Sequence, residues 1–254
     1  MSNRRRLSSL LLLLWLGTGC ATAVPRREPP GPDARRALDL LASRWDEFSD
    51  LRARVEIVVE QSGERRRFEG VLLAKAPGSL RFEALSAFGQ PFLYLTVHDG
   101  RFTAYDATTD EALVGPATAE TAARLLRVSL APDDLVAMLA GRALPPKDLR
   151  TAEVLPPDEH GPSLELIGGN SRQRVWMDLE TGVVRQVTIR EGWTEARITY
   201  RRDGAGVLTG LDLRVGDADL AGSVTYRNRI FGGGIDQARF AFTPPNSAKI
   251  RAVR

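Results

Sequence analysis

The sequence predicts a mainly β fold with a few helices: an incomplete, strongly curved antiparallel β-barrel with a helical lid. Three observations carry this. Apolar residues alternate with period two in about twelve short runs after Leu51. Turn-forming residues separate those runs at close intervals, as hairpin connections require. One interruption, at about 118–141, has helical rather than strand character. So many strands in one sheet accumulate twist and must curl. The few available helices suffice to cover one opening or one face.

The chain begins with a secretory pattern. Arg4, Arg5 and Arg6 form a basic n-region, and Leu7–Leu16 is an apolar stretch broken only by Ser8 and Ser9. Gly17, Thr18 and Gly19 lead to Cys20, the one cysteine in the chain. The apolar stretch is too short to span a bilayer and has the layout of a cleaved signal. The run ending in Cys20 resembles a bacterial lipobox, with Gly17 where Leu is usual; cleavage of an ordinary signal near Ala21–Ala23 is the alternative. With Cys20 acylated, each buried methylene contributes ~0.8 kcal/mol, and two or three chains anchor stably. Residues 1–19 are expected to be the signal, and 20–32 the lipidated cysteine and its tether. Residues 33–254 are expected to form one domain. Pro25, Pro29, Pro30 and Pro32 keep the tether extended over roughly 35 Å.

A helix follows, with Asp33 as its expected cap. Ala34, Leu38, Leu41, Trp45 and Phe48 recur at helical spacing. From Leu51 the pattern turns to strands, with Val55, Ile57 and Val59 in alternation. Further runs lie at 66–75, 79–86, 92–98 and 101–106. Asp99-Gly100 is a two-residue hairpin signal between the last two. Within 118–141, Thr118 or Pro116 opens a short helix through Leu125 and Leu126. Pro132, Asp133 and Asp134 open a second, with its acids favoured by the helix dipole. Leu135, Met138 and Leu139 mark its apolar face and Gly141 ends it. Strands then resume at roughly 151–155, 163–168, 173–179, 183–190, 194–201, 207–215, 220–228 and 238–242. Gly168-Gly169-Asn170, Thr181-Gly182, Asp203-Gly204 and Gly232-Gly233-Gly234 punctuate them.

Charge and composition exclude several functions. The formal net charge is +3, and the three arginines of 1–19 account for it, leaving 32 basic against 32 acidic residues. No surplus field remains to attract nucleic acid. Arg65–Arg67 sits beside Glu60 and Glu64 and reads as a solvated hairpin end. No cysteine other than Cys20 exists for a disulfide or metal, and no group of ligands clusters, so no cofactor or metal is expected. The histidines are His98, beside Asp99 at a strand end, and His160, in an acidic loop. Strand neighbours point to opposite faces, which places His98 and Asp99 badly for a triad. The glycines at 232–234 lack the Lys-Ser/Thr of a phosphate loop and read as a wide turn. Trp176, Trp193, Phe240 and Phe242 read as core. An enzyme is not expected. A curled sheet under a lid favours a greasy ligand in an apolar cavity.

Several segments carry a resemblance. These are Ala76-Pro77-Gly78-Ser79-Leu80-Arg81-Phe82-Glu83 with Ala87-Phe88-Gly89; Ala119 to Pro145, with Leu130-Ala131-Pro132, Leu135, Leu139 and Ala140-Gly141; Val175-Trp176-Met177-Asp178 with Thr181-Gly182; and Phe240 to Pro245. In this order, from about Leu51 to Lys249, the chain resembles the bacterial lipoprotein-localisation family of LolA and LolB, including LolB-like lipoproteins. Met138 stands where the family's helical pattern has Trp.

The resemblance implies a half-barrel whose lid covers a cavity for the acyl chains of a lipoprotein in transit. It implies a non-enzymatic role in lipoprotein reception or insertion at the outer membrane, facing the periplasm, with a LolA-like periplasmic carrier as possible partner. The alternative is an accessory envelope lipoprotein that binds another amphiphile, a glycolipid or polymer intermediate, with the same fold. By motif position Phe88 corresponds to the family's exposed apolar residue for membrane insertion. Phe92, Leu95 and Val97, with Leu126, Leu135 and Leu139 on the lid, are the expected cavity residues. Ala21, after the cysteine, is not the Asp that retains many lipoproteins in the inner membrane.

Overall fold

The computed structural model describes residues 26–126, 129–192, 194–216 and 219–253. Cys20, the expected signal and Trp193 lie outside them. Helix α1 (Pro32–Asp46) comes first, with Pro32 at its first turn and Gly31 as its N-cap. Asp33 is therefore not the cap. It lies inside the first turn, where the helix dipole favours an acid. Ala34, Ala37 and Leu41 form the buried stripe of α1, which packs on the edge of the sheet. Phe48 lies past the helix and stacks on Trp45, with ring centroids 5.7 Å apart.

Six strands follow as a meander: β1 (Asp50–Gln61), β2 (Glu64–Lys75), β3 (Ser79–Leu85), β4 (Pro91–His98), β5 (Arg101–Asp106) and β6 (Glu111–Pro116). Two short helices come next, α2 (Ala119–Leu126) and α3 (Pro132–Leu139). A second meander runs through β7 (Thr151–Asp158), β8 (Gly161–Ile167), β9 (Ser171–Met177), β10 (Val184–Glu191), β11 (Thr194–Arg202), β12 (Leu208–Val215) and β13 (Leu220–Phe231). A 3-10 helix, Gln237–Phe240, and β14 (Lys249–Ala252) end the described chain.

All fourteen described strands form one sheet, in the order β14-β6-β5-β4-β3-β2-β1-β13-β12-β11-β10-β9-β8-β7. Every pairing is antiparallel except β14 with β6. The two meanders join at the long β1–β13 pair, and the edges β14 and β7 do not meet. The sheet curls without closing. Two glycines permit close approach beside this junction. A Cβ on Gly70 of β2 would lie 2.0 Å from the Glu83 carbonyl oxygen, and one on Gly210 of β12 2.4 Å from that of Val224. Only glycine fits at such contacts.

The core fills the concave side. Leu51, Leu72, Leu164, Met177, Ile198 and Leu211 from the sheet are fully buried, as is Val136 of α3. Each such leucine contributes ~1.5–3 kcal/mol by burial. α3 lies over β2 and β3. The Asp134 carboxylate accepts the N–H of Ala131 at 3.1 Å and so caps α3; burial raises its pKa above the usual carboxylate value. Tyr226 of β13 is buried and donates through Oη to the Leu139 carbonyl at 2.7 Å, fixing the far end of α3 to the sheet. Gly141, at φ +70°, turns the chain away.

The C-terminal region departs from expectation. Residues 238–242 do not form a strand. Asp236 accepts the N–H of Ala238 at 2.9 Å and starts the 3-10 helix, and Phe240 plugs a small satellite core with Leu73 and Ile235. Phe242 stacks on Tyr94 at 4.6 Å. β6 and β14 are strands the alternation pattern did not show. The glycine run at 232–234 is a turn wrapped around a carboxylate. Asp50, at the start of β1 and buried, accepts N–H bonds from Gly233 at 2.9 Å and Gly234 at 3.1 Å.

Candidate functional site

The hairpin β4–β5 sets the geometry of the site. Asp99 and Gly100 both have positive φ, as a two-residue turn of this kind requires. The turn fixes His98 opposite Arg101, and so Val97 opposite Phe102 and Leu95 opposite Ala104. The neighbouring registers extend these pairs into rows. Leu80, Val97 and Phe102 form one, and Phe82, Leu95, Ala104 and Leu113 the next. Residues in one row share a face of the sheet.

Between these rows and the helices lies a cavity of about 290 Å³. Leu80, Leu95, Val97, Phe102, Ala104 and Leu113 form its floor. Ala117, Ala122 and Leu125 of the α2 region, with Leu130, Pro132 and Leu135 at the start of α3, form its roof. Two polar side chains in the wall, Thr118 and Thr121, bond to each other at the start of α2, which Thr118 caps. Thr118 Oγ1 accepts the Thr121 N–H at 3.3 Å and donates to Thr121 Oγ1 at 3.4 Å. Among the described residues, no charged side chain lines the cavity. Its volume stands at the lower end of the ~300–1,000 Å³ usual for small-molecule sites, enough for one slender apolar group.

The expected cavity residues divide. Leu95, Val97 and Leu135 line the wall. Phe92 does not. It differs in parity from Leu93, Leu95 and Val97, so the alternation of β4 turns it away from them, and it is half-buried. Leu139 does not either. It lies one turn, roughly 6 Å, further along α3 than Leu135 and is buried in the main core. Leu126 ends α2, and its side chain lies outside the described residues. The floor residues Leu80, Phe102, Ala104 and Leu113 were not expected. The Asp99-Gly100 turn alone would have found Phe102 and Ala104, because it pairs them with Val97 and Leu95.

Phe88 stands apart from the cavity, in the β3–β4 loop, and is 93% exposed. The loop is tied internally. The Ser86 N–H donates to the Gln90 carbonyl at 2.8 Å, and the Gly89 N–H to the Ser86 carbonyl at 2.9 Å. With Gly89 at φ +76°, this tight turn holds the ring out in solvent.

His98 and Asp99 do come together, contrary to the opposite-face expectation. Asp99 sits in the turn at φ +47° rather than in the strand, and its Oδ2 lies 3.3 Å from His98 Nε2. His98 Nδ1 lies 3.4 Å from Ser79 Oγ. This is no open catalytic centre. Ser79 is buried, Gln237 Nε2 donates to its hydroxyl at 2.9 Å, and Asp99 faces solvent. Gln237, bonded to Ser79 at 2.9 Å and 3.3 Å from His98 Nδ1, ties the 3-10 helix to the sheet. Among the described residues, no group of three or more His, Cys, Asp or Glu side chains could hold a metal ion.

No protein-family model and no curated protein matches the chain. Solved structures do. A domain assigned to outer membrane lipoprotein sorting, from Vibrio parahaemolyticus, superposes with a TM-score of 0.56 at 12% identity, covering 82% of this chain and 97% of its own. A DUF1329 family protein from Desulfovibrio piger gives 0.58 at 12% identity, with the same coverage of 82% and 97%. A LolA superfamily protein from Nitrosomonas europaea gives 0.53 at 10% identity, again over 82% and 97%. At these identities the likeness is one of fold: this chain has the incomplete, lidded half-barrel of LolA-superfamily and lipoprotein-sorting domains.

Proposed function

We propose that this protein is a non-enzymatic envelope lipoprotein that holds an acyl chain in the cavity beneath α2 and α3. The observation that carries this is the cavity wall itself, which among the described residues is aliphatic and aromatic, with two threonine hydroxyls bonded to each other. Such a wall rewards an apolar occupant and leaves a polar one without partners. The assignments of the structural neighbours, lipoprotein sorting and the LolA superfamily, support the same reading. Within it, Cys20 carries the lipid anchor after removal of residues 1–19, and residues 20–32 tether the domain 33–254. The exposed Phe88 ring is the membrane-entering tip that delivers cargo to the periplasmic face of the outer membrane.

Residues 21–254, prepared without the anchor, should bind a fluorescent fatty acid saturably and with a negative heat-capacity change. If calorimetry and fluorescence both show no binding, the acyl-carrier reading fails.

A further inference from the structure

A second pocket, of about 240 Å³, lies where the end of α1, the segment after α3 and the ends of β11 and β13 converge. Its wall differs in kind from that of the apolar cavity, for Arg44, Arg142 and Arg202 all line it. The carboxylates beside them are engaged. Glu47 pairs with Arg44 at 3.0 Å, and both Asp50 oxygens accept N–H groups of the 233–235 turn. Arg202 is held by carbonyls, donating to Gly206 at 3.2 Å, Val184 at 3.2 Å and Gly141 at 3.4 Å.

Arg142 is different. Its backbone is fixed, since Tyr200 Oη donates to its carbonyl at 3.2 Å. Its guanidinium makes no hydrogen bond or ion pair among the described residues, and its Nε, like that of Arg202, is buried without a partner. Desolvation, with Arg44 and Arg202 close by, lowers its pKa from the usual arginine value, against the opposing pull of the nearby Glu47 carboxylate, which is already paired with Arg44. Guanidinium groups do not give up their proton in proteins, so the charge stays. A fork of donors held beside two further arginines matches an oxyanion, which can accept two parallel N–H bonds at once.

We propose that Arg142, flanked by Arg44 and Arg202, forms an anion site that takes a phosphate group. This site is independent of the acyl cavity. The phosphate can come from a lipid headgroup or from a free phosphate, and the chemistry recognised is the same.

The test uses the full chain in neutral detergent at constant ionic strength, with inorganic phosphate as the probe followed by calorimetry. Saturable binding is expected, weakened about tenfold or more in Arg142→Met and less in Arg142→Lys. Arg172→Met, which alters an exposed pair with Glu165 elsewhere, should bind as the unaltered protein does. Ala104→Phe, which fills the apolar cavity, should leave phosphate binding unchanged and so separates this site from the acyl-carrier reading. If Arg142→Met does not fold, Arg44→Gln at the rim should show the same weakening. Competition by a short-chain phosphatidic acid below its micelle concentration would identify a headgroup source, and its failure to compete a free phosphate. Absence of saturable phosphate binding, or equal binding with and without the Arg142 guanidinium, overturns the proposal.

Discussion

The hydroxyl of Tyr226 and the carbonyl of Leu139 are joined by a 2.7 Å hydrogen bond between the middle of the sheet and the last turn of the lid helix. Tyr226→Phe removes the donor and keeps the ring. The loss should cost about 1 kcal/mol, or up to ~3 if the carbonyl stays unpaired. Amide exchange should quicken in α3 more than in β13. Uniform quickening would show that the bond does not restrain the lid in particular.

Tyr200 and Tyr226 are both buried, and burial raises each phenol above its ordinary value of 10.0. In the unfolded chain both ionise near that value. The folded state binds more protons above it, so stability is full below pH 10 and falls as pH climbs past it. The expected slope is about 1.4 kcal/mol per pH unit for each tyrosine. Thermal melts from pH 8 to 11.5 should show the loss. Replacing both tyrosines by Phe should flatten it, and an unchanged slope would assign the loss to other groups.

Ala104 sits on the cavity floor between Leu95 and Leu113. Ala104→Phe places a ring in open space. Fatty-acid affinity should fall about tenfold or more, while the melting temperature holds or rises, since filling a void restores contacts. Full retention of affinity would put the acyl chain somewhere else.

Phe88→Glu tests delivery. An exposed position should change stability within ~0.5 kcal/mol. A charge resists entering lipid, so transfer of a bound acyl probe into liposomes should slow while uptake persists. Unchanged transfer would leave a binding protein without an insertion tip.

Cys20→Ala tests the anchor. Metabolic labelling with an alkynyl fatty acid should mark the parent chain and not the variant. Normal labelling of the variant would place the lipid on another residue.

How much of this the sequence revealed depends on the range of the interaction. The β4–β5 hairpin was plain because Asp99-Gly100 encodes its turn locally. α3 was plain because Pro132, Asp133 and Asp134 gather at one helix end. Phe240 and Phe242 alternate as a strand would, yet the short Asp236 cap diverts the chain into a 3-10 helix. β14 is only four residues, all exposed, and pairs with β6 from far away in the chain, so its apolar pattern carries no signal. The Asp50–Gly233 contact spans 183 residues and could not be read from either end. Of the cavity, parity along β4 alone would have excluded Phe92. Leu139 was misplaced because helical spacing gives a face but not a depth.

The strand order gives the lid a mechanical role. The meanders meet at β1–β13, so β6 and β7 lie far apart across the open side, and α2 and α3 are the chain that passes between them. They act as a string across a bow. The string is tied unequally: only Ala117 and Thr118 separate β6 from α2, whereas the whole of 140–150 separates α3 from β7. A swing of the lid must therefore pivot at Ala117–Thr118, because its other end is held to the sheet by Tyr226 at Leu139 and by Tyr200 at Arg142. An occupant that forces the bow wider pulls first on that short knot, beside the floor it rests upon.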